Sequence, residues 1–175
     1  MVDRHDYVAL EWVKGDIAET LKQARSALDA FVETHDSDAI AECLAAIHQV
    51  HGALQMVEFY GAALLAEEIE ELTLALQAER VGQRDESIRL LQQALSQLPL
   101  YLDRVHSARR DLPLVVLPLL NDLRSARGES LLSETSLFSP QLLSIAPLPD
   151  EALAQRAVPE LHEQLHQWHK LLQQA

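Results

Sequence analysis

Apolar side chains recur every three or four residues along the first two thirds of the chain, and polar side chains fill the positions between them. This spacing is typical of amphipathic helices that bury one face. The first segment shows it clearly, with apolar residues at 10, 13, 17, 21, 24, 28 and 31. The pattern predicts four helices, over about residues 7–32, 38–59, 61–79 and 85–110.

Turn-forming residues separate these predicted helices. The stretch 35–38 breaks the first helix and offers an aspartate or serine as the cap of the second. The chain turns again at Tyr60 and Gly61, and the third helix ends at residues 81–83, which include Gly82. Connections this short place neighbouring helices antiparallel. We therefore predict an all-α fold built on an antiparallel four-helix bundle.

The pattern changes beyond the fourth helix. Residues 112–120 are apolar on all sides and contain two prolines, which predicts a fifth helix or bent segment buried against the bundle. Residues 128–149 are rich in turn signals and indicate a linker, and the helical period returns after residue 150. We predict a bundle domain over 1–127, a linker over 128–149 and a C-terminal helix over 150–175.

Composition narrows the possible functions. The 175 residues are 48% hydrophobic, enough for one core, and carry a formal net charge of −13. Such a charge repels phosphate backbones and anionic lipid headgroups, so we expect neither nucleic-acid binding nor membrane insertion. No signal peptide is visible, and the single Cys43 lies on an apolar stripe, where a small buried side chain is expected. These features indicate a cytoplasmic protein.

One histidine of the second helix stands apart from its apolar stripe. At the helical angle per residue, His48 projects about 135° from the centre of the stripe, towards water. Gly52 lies almost opposite the core, and Gln55 and Phe59 lie around His48. The projection therefore predicts a small-sided docking surface formed by Gly52, Gln55 and Phe59 beside an exposed imidazole.

An exposed neutral imidazole is a competent nucleophile at cellular pH. A phosphoryl donor on another domain can reach it, and the absent side chain of Gly52 leaves room for such docking. The alternative is a plain solvated histidine, the more common situation on a helix surface. Exposure alone does not separate the two interpretations.

The motif around His48 points to a family. Residues 48–52, His-Gln-Val-His-Gly, resemble the His-x-x-Lys-Gly motif of histidine-phosphotransfer (Hpt) domains, and residues 55–70 continue the likeness. Together with residues 7–15 and 111–128, they resemble the N-terminal region of the chemotaxis-type hybrid histidine kinase of the type IV pilus system, the ChpA/PilL type. The likeness extends to about residue 140.

This resemblance implies an Hpt-like bundle in a multidomain kinase that regulates type IV pili and twitching motility. It implies that His48 is the phosphoacceptor, that Glu70 orients its imidazole and that His51 contacts the phosphoryl group. Two positions depart from the family pattern. His51 occupies the place of a lysine, and Glu58 stands where a glycine is expected, with Gly61 arriving later.

Three functional hypotheses follow. In the first, His48 passes phosphoryl groups from a kinase catalytic domain to the receiver domain of a response regulator. In the second, the bundle is a degenerate Hpt-fold module that docks signalling or pilus-regulatory partners without being phosphorylated. The third is a metal site of His162, His166 and His169 on one face of the last helix, for which a solvated face is the better interpretation.

Chemistry beyond these hypotheses is not indicated. The chain has five scattered glycines and no phosphate-binding loop, so an ATP-binding kinase core must lie elsewhere, and we expect neither a cofactor nor a metal. For other residues we favour structural roles. Trp12 and Trp168 are expected to pack inside, Arg124 and Arg127 to neutralise acidic neighbours, and Glu67, Glu68, Glu70 and Glu71 to point largely outward.

Overall fold

A computed structural model describes the backbone of residues 4–138 and the side chains of residues 11–137. Its helices are α1 (Arg4–Thr34), α2 (Ser37–Met56), α3 (Tyr60–Gln77), α4 (Arg84–Ala108), a short 3-10 helix (Pro113–Val115), α5 (Leu117–Ala126) and α6 (Glu134–Phe138). These residues form no strand, and the all-α prediction is confirmed. In this part of the chain, no helix combines the length and the apolar character that crossing a membrane requires.

Helices α1 to α4 close into a ring. Helix α1 packs on α2 and α4, and α3 packs on the same two helices from the other side. Their apolar stripes meet in one core, in which Leu28, Leu54, Ile69 and Leu91 are fully buried. Cys43 is part of this core, and burial, aided by the charge of Asp29, raises the pKa of its thiol to about 12. The predicted bundle and the buried cysteine are therefore both observed.

Left-handed residues end all four bundle helices. His35, Glu58, Glu79 and Arg109 have φ of 59°, 60°, 56° and 49°, and none is a glycine. The predicted ends of the second and third helices are two or three residues too late. The second helix stops at Met56 and the third at Gln77, before the turn signal of Gly82. Glu58 occupies the place where the family pattern has glycine, the residue that adopts this conformation without steric cost.

Gly61 is required by a close contact at the start of α3. Its N–H donates a hydrogen bond to Asp111 Oδ2 at 2.6 Å, and the Tyr101 hydroxyl donates to Asp111 Oδ1. A Cβ at position 61 would collide with Asp111 and Tyr101. This contact fixes the start of α3, and so the position of the residues that α3 carries, relative to the end of α4.

Helix α5 is attached to α3 by a buried ion cluster. Glu68 is only 3% exposed and accepts hydrogen bonds from Arg124 Nη1, at 2.6 Å, and from Arg127 Nη2. The prediction that Glu68 points outward is therefore wrong, because α5 covers that side of α3. The predicted charge-neutralising role of Arg124 and Arg127 is confirmed.

The fifth apolar segment is only partly buried. Val116, Leu119, Leu120 and Leu123 join the core, but Leu112 and Val115 are about half exposed. The segment is apolar on all sides, so a single packed face leaves some of it in solvent. Trp12 is also exposed, at 80%, contrary to the prediction that it packs inside. Within residues 11–34, the buried stripe of α1 runs through Ile17, Leu21 and Leu28, and Trp12 lies outside it.

The start of the predicted linker lies against the bundle. The Leu132 backbone exchanges two hydrogen bonds with the side chain of Asn121 on α5, and Leu137 of α6 is buried. The rest of the linker, the predicted C-terminal helix with Trp168, and the three histidines of the metal hypothesis lie outside the described residues. The proposed boundaries at 127 and 149 stay predictions.

Candidate functional site

The candidate site lies between α2 and α3. On α2, Cys43, Ile47, Val50 and Leu54 face the core, and this places His48 on the outer side, as the angular projection predicts. Its side chain is 75% exposed. On α3, Ile69 is fully buried, and the next residue, Glu70, lies at the helix edge that faces α2.

Glu70 binds two histidines at once. Its Oε1 lies 2.6 Å from His48 Nδ1, and its Oε2 lies 2.7 Å from His51 Nδ1. The predicted pairing of His48 with Glu70 is therefore present in the geometry. The partners are 22 positions apart in the chain. The spacing of apolar residues could not have paired them, whereas the family resemblance could.

The hydrogen bonds assign the hydrogen on each imidazole. An ionised carboxylate only accepts hydrogen bonds, so the Nδ1 atoms of His48 and His51 both donate to Glu70. A neutral His48 then carries its lone pair on Nε2. Among the described residues, no hydrogen-bonding partner contacts this atom. The nitrogen that can act as a nucleophile therefore has no partner among these residues, on a side chain that is 75% exposed.

His51 differs from His48 in its second nitrogen. The amide Nε2–H of Gln55 donates to His51 Nε2 at 2.9 Å. The side chain of His51 is 15% exposed, so both of its nitrogens are engaged in a largely buried position. In this arrangement His51 has no N–H left to donate to a phosphoryl group, as its predicted role requires. Gln55, predicted only as a docking residue, lies one helical turn after His51, a spacing that could have predicted their contact.

The surface beside His48 agrees with part of the predicted docking surface. A Cβ added to Gly52 would meet no atom within 4 Å, so the space over this turn of α2 is open. Gln55 is exposed. Phe59, the third predicted member, is 1% exposed, and its assignment to the surface is wrong. Helix α2 stops at Met56, and the left-handed Glu58 turns the chain so that Phe59 enters the core.

Metal chemistry gains no support at this site. Within the part of the chain that the structure describes, no group of three or more His, Cys, Asp or Glu side chains has an arrangement that could hold a metal ion. Glu70 and its two histidines instead satisfy one another through hydrogen bonds. The geometry suits a reaction in which an exposed imidazole nitrogen attacks an electrophile brought from outside.

Comparison with known proteins places this geometry in a family. Residues 8–108 match the family model described as the Hpt domain. The chain belongs to the Hpt domain family. The match ends at Ala108, the last residue of α4, so the bundle is the Hpt domain and the 3-10 helix, α5 and α6 follow it. The predicted Hpt-like bundle is thereby confirmed.

One curated relative is similar over most of the chain. The scaffold protein FimL of Pseudomonas aeruginosa is 30% identical over 152 residues, which cover 82% of this chain and 27% of FimL. The chain thus spans about a quarter of the length of the relative it matches. No solved structure gives a significant match to the chain.

Proposed function

We propose that this Hpt domain is a phosphotransfer module in which His48 Nε2 accepts a phosphoryl group and passes it on. The observation that carries the proposal is the pairing of a 75% exposed imidazole with Glu70 through Nδ1, which leaves Nε2 without a partner among the described residues. Membership of the family supports the same assignment.

The proposed reaction uses both ring nitrogens of His48. The Nε2 lone pair attacks the phosphorus of the donor, an N–P bond forms, and the P–O bond to the leaving group breaks. The ring keeps its Nδ1 hydrogen and becomes positively charged. Glu70 Oε1, 2.6 Å from Nδ1, stabilises that charge as it develops. In the reverse direction the N–P electron pair returns to Nε2 as a carboxylate oxygen of the acceptor binds phosphorus.

The donor and the acceptor must come from other domains. The chain contains no glycine-rich phosphate loop, so the phosphoryl group of ATP reaches His48 through a separate kinase catalytic domain. The acceptor is the aspartate of a response-regulator receiver domain. Open space over Gly52 and the exposed Gln55 give both partners a surface to approach.

The cellular context rests on the resemblance to the type IV pilus system. We infer that the domain is the N-terminal part of a chemosensory hybrid histidine kinase that regulates type IV pili and twitching motility. Residues 48–52 and 55–70 carry this inference, and the described fold is compatible with it.

Labelling by a kinase tests the proposed function. The chain is incubated with an active cognate kinase core and labelled ATP, and His48→Gln is compared with His35→Gln, which alters another exposed histidine. We expect label on the wild type and on His35→Gln, and none on His48→Gln. Equal labelling of the wild type and His48→Gln would contradict the proposal.

A second candidate function is a scaffold that binds partners without being phosphorylated. Two observations favour it. The relative FimL is named a scaffold protein, and position 51 lacks the lysine whose charge would steady phosphoryl oxygens. Partner binding that survives His48→Gln but is lost on substitution of Tyr60, which is 45% exposed, would favour this function. Binding that needs an intact His48 would count against it.

A further inference from the structure

Glu70 divides its two oxygens between two imidazoles of the same helix. His48 and His51 lie three residues apart on α2, and their Nδ1 atoms lie 2.6 and 2.7 Å from Oε1 and Oε2. Gln55 extends the chain of hydrogen bonds through His51 Nε2. Four side chains, Gln55, His51, Glu70 and His48, are therefore linked in a row that ends at the exposed imidazole.

The two imidazoles differ in their accessibility. The side chain of His48 is 75% exposed and its Nε2 has no partner in the described part of the chain, whereas the side chain of His51 is 15% exposed and its Nε2 is bound to Gln55. One ring is therefore available for reaction and the other is locked in place. A lysine at position 51 would bring a mobile charge. A locked neutral imidazole brings a fixed donor aimed at the carboxylate.

We propose that His51, held by Gln55, is a positioning residue that acts on His48 through Glu70 and does not touch the phosphoryl group. The inference deepens the proposed function and rests on it for the reaction itself. Its structural part, control of which His48 nitrogen carries the hydrogen, can be measured without phosphorylation.

The physical reason is the freedom of the Glu70 side chain. A glutamate side chain has several rotatable bonds, and one hydrogen bond to an exposed imidazole restricts its carboxylate only weakly. The second hydrogen bond, from His51, restricts the carboxylate to the orientation in which Oε1 meets His48 Nδ1. Without it, the hydrogen of His48 would redistribute between Nδ1 and Nε2, and an imidazole protonated at Nε2 has no lone pair there for attack.

The matched variants differ in whether position 51 keeps a donor. His51→Leu removes the donor and puts an apolar side chain of similar bulk in its place, whereas His51→Asn retains a donor by placing an amide N–H near the position of Nδ1. Gln55→Leu removes the hydrogen bond to His51 Nε2, and Gln49→Leu is its control, since Gln49 is exposed on the same helix. Circular dichroism and thermal unfolding verify that each variant is folded.

Nitrogen-15 spectra of the histidine rings give the first readout. In the unphosphorylated wild type we expect the shifts of His48 to report hydrogen on Nδ1 and a lone pair on Nε2. In His51→Leu they should move towards a mixture of the two forms, with a smaller move in Gln55→Leu. His51→Asn and Gln49→Leu should keep the wild-type pattern. An unchanged His48 spectrum in folded His51→Leu would overturn the inference.

Phosphorylation by phosphoramidate, a small donor that needs no partner protein, gives the second readout. We expect the initial rate at His48 to fall about tenfold in His51→Leu and to be restored to near the wild-type rate in His51→Asn. A reduced rate in His51→Leu with an unchanged His48 spectrum would show that His51 acts on the phosphoryl group directly, and would overturn the inference. If the wild type itself is never labelled, the proposed function fails, while the spectra still decide the positioning role.

Discussion

Two glutamates of α3 are held in similar ways but in different surroundings. Glu68 and Glu70 lie two residues apart, about 200° around the helix, so they face opposite sides. Each carboxylate binds two side chains from a neighbouring segment of the chain. Glu68 is 3% exposed and meets Arg124 of α5 and Arg127, which directly follows α5, whereas the side chain of Glu70 is 20% exposed and meets two histidines of α2.

The difference lies in what the partners can do. A guanidinium keeps its charge at every relevant pH and has no lone pair, so the Glu68 cluster can only hold α5 in place. An imidazole changes its protonation in the physiological range and can form a bond through its free nitrogen. The same carboxylate geometry therefore stabilises the fold on one side of α3 and prepares a reaction on the other.

The largest effect on stability is expected at Glu68. Glu68→Gln leaves the largely buried Arg124 without its counter-charge and leaves Arg127 only the more exposed Glu71, 3.6 Å away, which should lower the free energy of unfolding by about 3 kcal/mol. Urea denaturation measures it, with Glu67→Gln as control because Glu67 is an exposed neighbour on α3. Equal stability of the two variants would show that the buried cluster does not hold α5.

Glu70→Gln should have a small effect on stability and a large effect on the rate of His48 phosphorylation. Because His48 is exposed, we expect a loss of stability of only about 1 kcal/mol. The rate of His48 phosphorylation should fall about a hundredfold, since the carboxylate no longer stabilises the charge of the phosphorylated ring. Urea denaturation and phosphoramidate labelling measure the two quantities on the same sample. A large loss of stability with an unchanged rate would reverse the roles given to the two glutamates.

The smallest effect on stability is expected at Gly52. Gly52→Gln places a side chain in the open space over the site. The control, Gly15→Gln, places the same side chain in open space on α1, away from the site. Both should stabilise their helix by about 0.5 kcal/mol. Only Gly52→Gln should slow labelling by a kinase domain, and neither should slow labelling by phosphoramidate. Equal kinase labelling of the two variants would remove Gly52 from the docking surface.

Much of the fold could be predicted from the hydrophobic period. The stripes through Leu28, Leu54 and Ile69 follow the helical repeat, and the helices that carry them were placed within a few residues. The period could not predict Glu68, because it identifies one apolar face, whereas α2, α4 and α5 surround α3. Glu68 is polar yet buried, since its partners come from residues 124 and 127, far along the chain.

Some residues of the candidate site were predicted correctly and others were not, for a related reason. The exposure of His48 follows from an angle within one helix and is observed. The exposure predicted for Phe59 extended the same angle beyond Met56, where α2 ends, and is wrong. Local geometry therefore holds as long as the helix continues. The pairing with Glu70 came from the resemblance. The contact of Gln55 with His51 was missed, although their spacing of one helical turn could have predicted it.

The most direct test of the account is to locate the phosphoryl group after labelling with the kinase core or phosphoramidate. Mass spectrometry identifies the residue, and phosphorus-31 and nitrogen-15 spectra identify the nitrogen. We expect an N–P bond at Nε2 of His48, with Nδ1 still carrying its hydrogen towards Glu70. A phosphoryl group on Nδ1, on another residue, or absent after both treatments would contradict it.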